Sequence, residues 1–281
     1  MVKWLLAIAV VILAVVFVSF GFGGGKGPAL NVVGSTSVQP FAEMLAQAFE
    51  ESHPGQYVDV QGGGSTAGLQ ASANGIADIG MCSRALKPDE TQPATARAVP
   101  VPGFETVVIA RDGLAVIVHP SNPIANLTRE QIRRLFSGAV TNWREVGGPP
   151  IHWAGTVRPI TREEGSGTRE AFVKMIMGGE RISRKALTQE SNGAVKELVR
   201  SDPCAVGYMS LGLVGTEVKA VSVDGVPPTS ENAATGRYPL IRPVLFVTRG
   251  WPSPRAQAFI DFVLSPEGQQ MLQKEGLVGA K

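Results

Sequence analysis

Ala29-Leu30-Asn31-Val32-Val33-Gly34-Ser35-Thr36-Ser37 passes from a short apolar run into a turn of glycine and hydroxyl residues. Phe41, Leu45, Ala48 and Phe49 then follow at helical spacing. Pro40 falls in the first helical turn, where a missing N–H leaves no hydrogen bond unmade. The unit recurs at once. Tyr57-Val58-Asp59-Val60-Gln61 alternates as a strand, Gly62-Gly63-Gly64-Ser65-Thr66-Ala67-Gly68 forms the turn, and a helix-like run starts at Leu69. Residues 76–82 make another short strand that ends at Ser83-Arg84. Strand, turn and helix in alternation specify an α/β fold with a parallel sheet, whose ligands lie beyond the carboxyl ends of the strands.

A third turn of this kind is Arg162-Glu163-Glu164-Gly165-Ser166-Gly167-Thr168-Arg169, opening a helix near Glu170. A Gly-Ser-Gly-Thr turn before a helix offers free backbone N–H groups, two hydroxyls and the positive end of the helix dipole. Arg162 adds a planar fork of donors suited to an oxyanion. One such turn is ordinary capping, because Ser and Thr stabilise helix starts by about 1 kcal/mol. Three turns on one parallel framework, with Arg84 and Arg162 at strand ends, supply enough donors to surround a small tetrahedral anion. Arg169 either braces the loop through Glu163 or Glu164 or touches the ligand.

Composition narrows the partners. The chain has 281 residues, 44% of them hydrophobic, and a formal net charge of +2. Lys3 and Lys26 flank the N-terminal apolar segment, so residues 27–281 carry 24 basic and 24 acidic side chains. No run of Lys or Arg makes a nucleic-acid surface. Residues 1–25 hold one lysine and a long apolar stretch without a clear small-residue cleavage site, which reads as an export signal or an uncleaved membrane anchor. Either places the body outside the cytoplasm. A glycine-rich linker, residues 26–29, follows. The three histidines, His53, His119 and His152, have no metal-ligand spacing. Trp143, Trp153 and Trp251 read as packing residues. Cys82 and Cys204 have no metal or redox spacing, and an oxidising compartment would permit a disulfide between them.

Farther along, residues 105–110 and 114–118 suggest a strand pair, and Thr128-Arg129-Glu130-Gln131 is a capping box. The run 239–247, interrupted by Pro243, reads as an edge or crossover strand. Two helices, near 254–264 and 266–274, close the chain.

The three turns, Asp78-Ile79-Gly80-Met81-Cys82-Ser83-Arg84, Thr141-Asn142-Trp143, Val206-Gly207-Tyr208 and Tyr238-Pro239-Leu240-Ile241-Arg242-Pro243 together resemble the extracytoplasmic phosphate-binding proteins of phosphate ABC importers. The resemblance implies a two-lobed, periplasmic-binding-protein-like fold with two crossover strands and the ligand in the cleft between lobes. Lobe I would comprise residues 30–113 and 243–281, and lobe II residues 114–242. It further implies that Thr36, Ser37, Ser65 and Arg84 meet phosphate from lobe I, and Arg162, Ser166, Gly167 and Thr168 from lobe II. A membrane permease would be the partner, a monomer the working form, and no cofactor, metal or catalysis would be required. Some members carry an aspartate where this chain has Arg84, and that carboxylate accepts the proton of hydrogen phosphate. Arg84 strengthens dianion binding but removes this acceptor, leaving Glu163, Glu164 and Asp112 as alternatives and sulfate or molybdate as competing anions. A tethered phosphate sensor is the alternative role. A phosphatase using Ser166 would need a base or metal near the hydroxyl, and the motif contains no histidine.

Overall fold

The computed structural model describes residues 29–91, 103–148 and 156–280. The apolar segment 1–25, residues 26–28 of the linker, His152 and Trp153 lie outside them. Strand β1 (Leu30–Gly34) lies between β2 (Val58–Gly62) and β3 (Ile79–Cys82), all three parallel. Helices α1 (Gln39–Ser52) and α2 (Ser65–Ala73) and the short α3 (Pro88–Thr91) follow these strands in turn. Gly34 pairs in register with Gly62 and Met81, so the turns after β1, β2 and β3 leave the sheet along one edge. Helix α2 begins four residues before the Leu69 start suggested by spacing. Gly64, at φ 90°, turns the chain directly from the strand end into that helix, a conformation that favours glycine.

The chain continues through β4 (Phe104–Val118), β5 (Asn126–Leu127), α4 (Arg129–Ser137), β6 (Arg158–Arg162), α5 (Gly167–Phe172), β7 (Leu187–Gln189), α6 (Asn192–Ser201) and β8 (Ala205–Ser210). It ends through β9 (Lys219–Ala220), β10 (Ser222–Val223), α7 (Ser230–Ala234), β11 (Ile241–Arg249), α8 (Pro254–Leu264), α9 (Pro266–Lys274) and β12 (Val278–Gly279). The main sheet runs in the order β2-β1-β3-β11-β4-β8-β6-β7. The expected strand pair is a single strand, β4, 15 residues long. Its first part, through Gly113, pairs antiparallel with β11, and its last part, from Leu114, with β8. No turn is needed at Asp112-Gly113 because the strand changes partners there. Pro243 is likewise not on an edge strand, since β11 lies between β3 and β4. It is tolerated because the β3 pairing covers only Leu245 to Val247, leaving one side of the strand free at Pro243.

The cores divide at the same place. One packs Phe41, Leu45, Phe49, Ile79, Phe246 and Phe259, all from residues 30–110 and 244–277. The other packs Leu135, Phe136, Trp143, Phe172, Tyr208 and Tyr238, with buried members from 114–240. The buried Trp143 donates its ring N–H to the Cys204 carbonyl at 3.1 Å. Trp251, by contrast, is 88% exposed just beyond β11, so it packs little.

Cys82 lies in β3 under the first half and Cys204 just before β8 in the second, both free. Burial pushes the Cys82 thiol above its ordinary range, and only partly do Arg84 and its carbonyl oppose this. A buried thiol held protonated is a poor nucleophile. In native protein a thiol reagent is therefore expected to modify Cys204 before Cys82, and Cys82 only on unfolding. Rapid native modification of Cys82, read by peptide mass, would contradict its placement.

Candidate functional site

The turns after β1, β2, β3 and β6 converge where the two halves meet. Ser35 Oγ donates to Ser83 Oγ at 2.8 Å, and Ser37 Oγ donates to it at 3.1 Å. Ser65 Oγ accepts the Ser83 amide at 3.1 Å. Ser37 Oγ also stands 3.1 Å from Thr168 Oγ1, which belongs to the second half. Four serines and a threonine from four different turns thus form one buried cluster. Hydroxyls packed this tightly still hold donor capacity, because each O–H rotates toward whichever acceptor is present.

The second half delivers its share through helix α5. Ser166 caps it, its hydroxyl accepting the Arg169 amide at 3.3 Å and keeping its own proton to donate. The first two amides of the helix, Gly167 and Thr168, have no carbonyl within the helix to bond and lie at its positive end. The helix starts at Gly167, three residues before the expected position, and bends into a π-helical turn at Val173–Met177. Phe172 fixes its height. Its ring stacks on Tyr208 at 4.0 Å between centroids, and Tyr208 in turn holds Thr161 Oγ1 at 2.7 Å on β6. Gly167 approaches the other half so closely that an added Cβ would overlap Ser65 Oγ and stand 2.6 Å from Ser83 Oγ.

The arginines divide into those in the cluster and those around it. Arg162 is 1% exposed; its Nη2 donates to Thr36 Oγ1 across the seam at 3.0 Å and to Glu163 at 2.8 Å. Its Nε donates to Glu163 and to the Gln189 carbonyl, while its buried Nη1 has no partner. Arg169 braces the loop, donating to the Arg162 carbonyl at 2.8 Å and to Glu164 at 2.9 Å. Arg84 has no partner in the hydroxyl cluster. It holds Glu90 with two bonds of 2.7 and 2.8 Å, and its Nε stands 3.1 Å from Glu170 at α5. Lys87 reaches the same Glu170 oxygen at 2.6 Å. Burial alone would raise the Glu90 carboxyl, but the bonds from Arg84 and the Lys87 amide hold it below its ordinary range.

Three residues in the cluster were not among the contacts expected from the sequence: Ser35, which lies in the first turn itself, Ser83 and Arg242. Ser83 lies beside Arg84 but carries no glycine to mark a turn. Arg242, on β11, sits inside a strand-like run with no loop motif around it. Its Nη1 donates to Thr168 Oγ1 at 2.8 Å and to Ser83 Oγ at 3.3 Å. Of the three carboxylates considered as proton acceptors, Glu163 has both oxygens on Arg162 and Glu164 is 91% exposed. Asp112 is buried, and its Oδ1 has no partner. His53 stacks on Phe49 and His119 bonds Ser121, so neither serves the cluster. No group of three metal-ligating side chains occurs among the described residues.

A model of the PBP superfamily domain matches residues 24–267. The phosphate-binding protein PstS of Bacillus subtilis is 30% identical over 86% of this chain and 77% of its own length. A Clostridium perfringens protein described as a phosphate ABC transporter substrate-binding protein, solved with bound phosphate, has TM-score 0.83 and 36% identity over 90% of this chain and all of its own. An ABC-type phosphate transport receptor of Vibrio cholerae has TM-score 0.72 and 36% identity over 89% of this chain and 99% of its own. Donor-rich turns converging from both ends of a divided α/β sheet, together with these likenesses, place the chain in the PBP superfamily, among the phosphate-binding proteins PstS.

Proposed function

We infer that this protein captures inorganic phosphate and delivers it to an ABC importer. The observation that carries this reading is the meeting of Ser37 and Thr168, one hydroxyl from each half, at 3.1 Å within a cluster of donors. A phosphate closed between the halves would exchange water for hydroxyls, helix-end amides and guanidinium groups, which compensates the cost of burying its charge. Thr36, Ser37 and Ser65 are its proposed contacts from lobe I, and Arg162, Ser166, Gly167 and Thr168 from lobe II. The lobes divide near residues 113 and 242, where the two long strands change partners. Closure about those strands is hinge motion, and the likeness to phosphate-binding proteins supports capture as the activity. The body lies outside the cytoplasm, works as a monomer and has the membrane permease as its partner. No helix among the described residues is long and apolar enough to cross a membrane, so residues 1–25 would carry any anchoring.

Arg84 serves this reading from outside the cluster. With Lys87 it reaches across to Glu170, and Thr66 Oγ1 approaches the same carboxylate at 3.4 Å. These contacts make a latch between lobes.

Calorimetric titration of the body with phosphate, sulfate and molybdate tests the function, with tight phosphate binding expected and its absence contradicting the reading. Gly167→Ala places a methyl group against Ser65 and Ser83 and is expected to weaken phosphate binding by at least about tenfold, since the halves then cannot meet. Unchanged affinity would remove this seam from the site. Glu170→Gln is expected to speed phosphate release by about two- to fivefold at low salt. The difference should shrink as salt screens the latch. Equal release rates in stopped-flow measurements at low salt would show that Glu170 does not hold the lobes.

A further inference from the structure

Asp112 and Arg242 face each other in register on β4 and β11, at the point where both strands pass from one half of the sheet to the other. Both are buried, at 2% exposure each. Buried charges are tolerated when paired, and this pair bonds through Nε at 3.0 Å and Nη2 at 2.7 Å. Its form is unusual for a pair serving structure alone. Both bonds go to one oxygen, Asp112 Oδ2, and the other oxygen has no partner. A fork-to-fork arrangement would satisfy both oxygens. The guanidinium instead turns its remaining nitrogen, Nη1, to Ser83 of one half and Thr168 of the other. Its bonds to the Ser83 hydroxyl and carbonyl are long, both 3.3 Å. An oxyanion between Ser83 and Thr168 would give Nη1 a charged acceptor, and a bond between two ionised groups is stronger than a guanidinium's bond to a hydroxyl or carbonyl.

We propose that Arg242 binds the phosphate directly through Nη1, and that Asp112 positions it. This inference rests on the phosphate reading above and adds to the three turns a cation at the boundary between the lobes. Being carried by a crossover strand, Arg242 stays at the hinge while the lobes move. It offers the anion a fixed charge before the hydroxyls of Ser37 and Thr168 close on it. Asp112 occupies the Nε and Nη2 edge, so only Nη1 is presented to the cleft.

The test is the phosphate affinity of wild type, Arg242→Met and Arg242→Lys, measured by calorimetry across about pH 6 to 8, where phosphate gains its second charge. Wild-type affinity is expected to rise over this range as the dianion forms. Arg242→Met is expected to bind about a hundredfold more weakly, with a flatter rise, because the lost contact discriminates most in favour of the dianion. A residue that only supports the fold would lower affinity without altering the slope. Arg242→Lys keeps the charge but not the fork, and is expected to recover the slope while remaining about tenfold weaker than wild type. Binding by Arg242→Met within threefold of wild type, or a loss with unchanged slope, would overturn the proposal. If Arg242→Met does not fold, Arg242→Lys decides, and wild-type affinity in that variant overturns the proposal. Failure of the wild type itself to bind phosphate would instead overturn the underlying reading, and this inference with it.

Discussion

Burying a small, highly charged anion away from water is the constraint on which the rest of this structure depends. An unpaired ionised group in a low-dielectric interior is too costly to persist, so every face of the anion must meet a donor. A single loop presents donors from one side only. The sheet supplies the others by ending four strands, β1, β2, β3 and β6, near one seam, each followed by a turn that carries serine or threonine. Three of these turns, after β1, β2 and β6, run on into helices. Two of those helices, α2 and α5, start within the turns themselves, so the positive ends of their dipoles lie at the seam. The crossover strands β4 and β11 then let one sheet serve a separate core on each side of the seam.

Charge balance around the seam follows the same logic. Each arginine near the cluster has its own carboxylate: Arg162 with Glu163, Arg169 with Glu164, Arg84 with Glu90 and Arg242 with Asp112. Compensated arginines keep the seam from carrying a large net charge, while a donor such as the buried Arg162 Nη1 keeps no partner. The donors that distinguish this site are therefore neutral hydroxyls and amides, tightened by a few oriented guanidinium groups.

Much of this was legible in the sequence because turns leave local marks. Gly34-Ser35-Thr36-Ser37, Gly64-Ser65 and Gly165-Ser166-Gly167-Thr168 combine glycine with hydroxyls at helix starts, and all three turns reach the seam. The sequence could not show which long side chains turn inward. Arg84 follows a strand end and reads as a ligand, yet its guanidinium goes to Glu90 and Glu170, because the short helix α3 brings Glu90 within reach. Arg242 lies near the start of β11 with no loop motif beside it, and its partner Asp112 is 130 residues away. Only the pairing of β4 with β11 brings the two together. The single strand β4 was likewise hidden, since Asp112-Gly113 resembles a turn unless the change of partners is known.

The central claim is that one phosphate is held at the seam by both halves at once. A crystal structure of the body grown with phosphate tests it most directly. The account predicts a single phosphate with oxygens within hydrogen-bond distance of Ser37 and Ser65 from one half and of Thr168 and Arg162 from the other. Phosphate contacting one half alone would contradict it. So would phosphate seated only in the neighbouring cavity of about 860 Å³ lined by Arg84, Lys87 and Lys174.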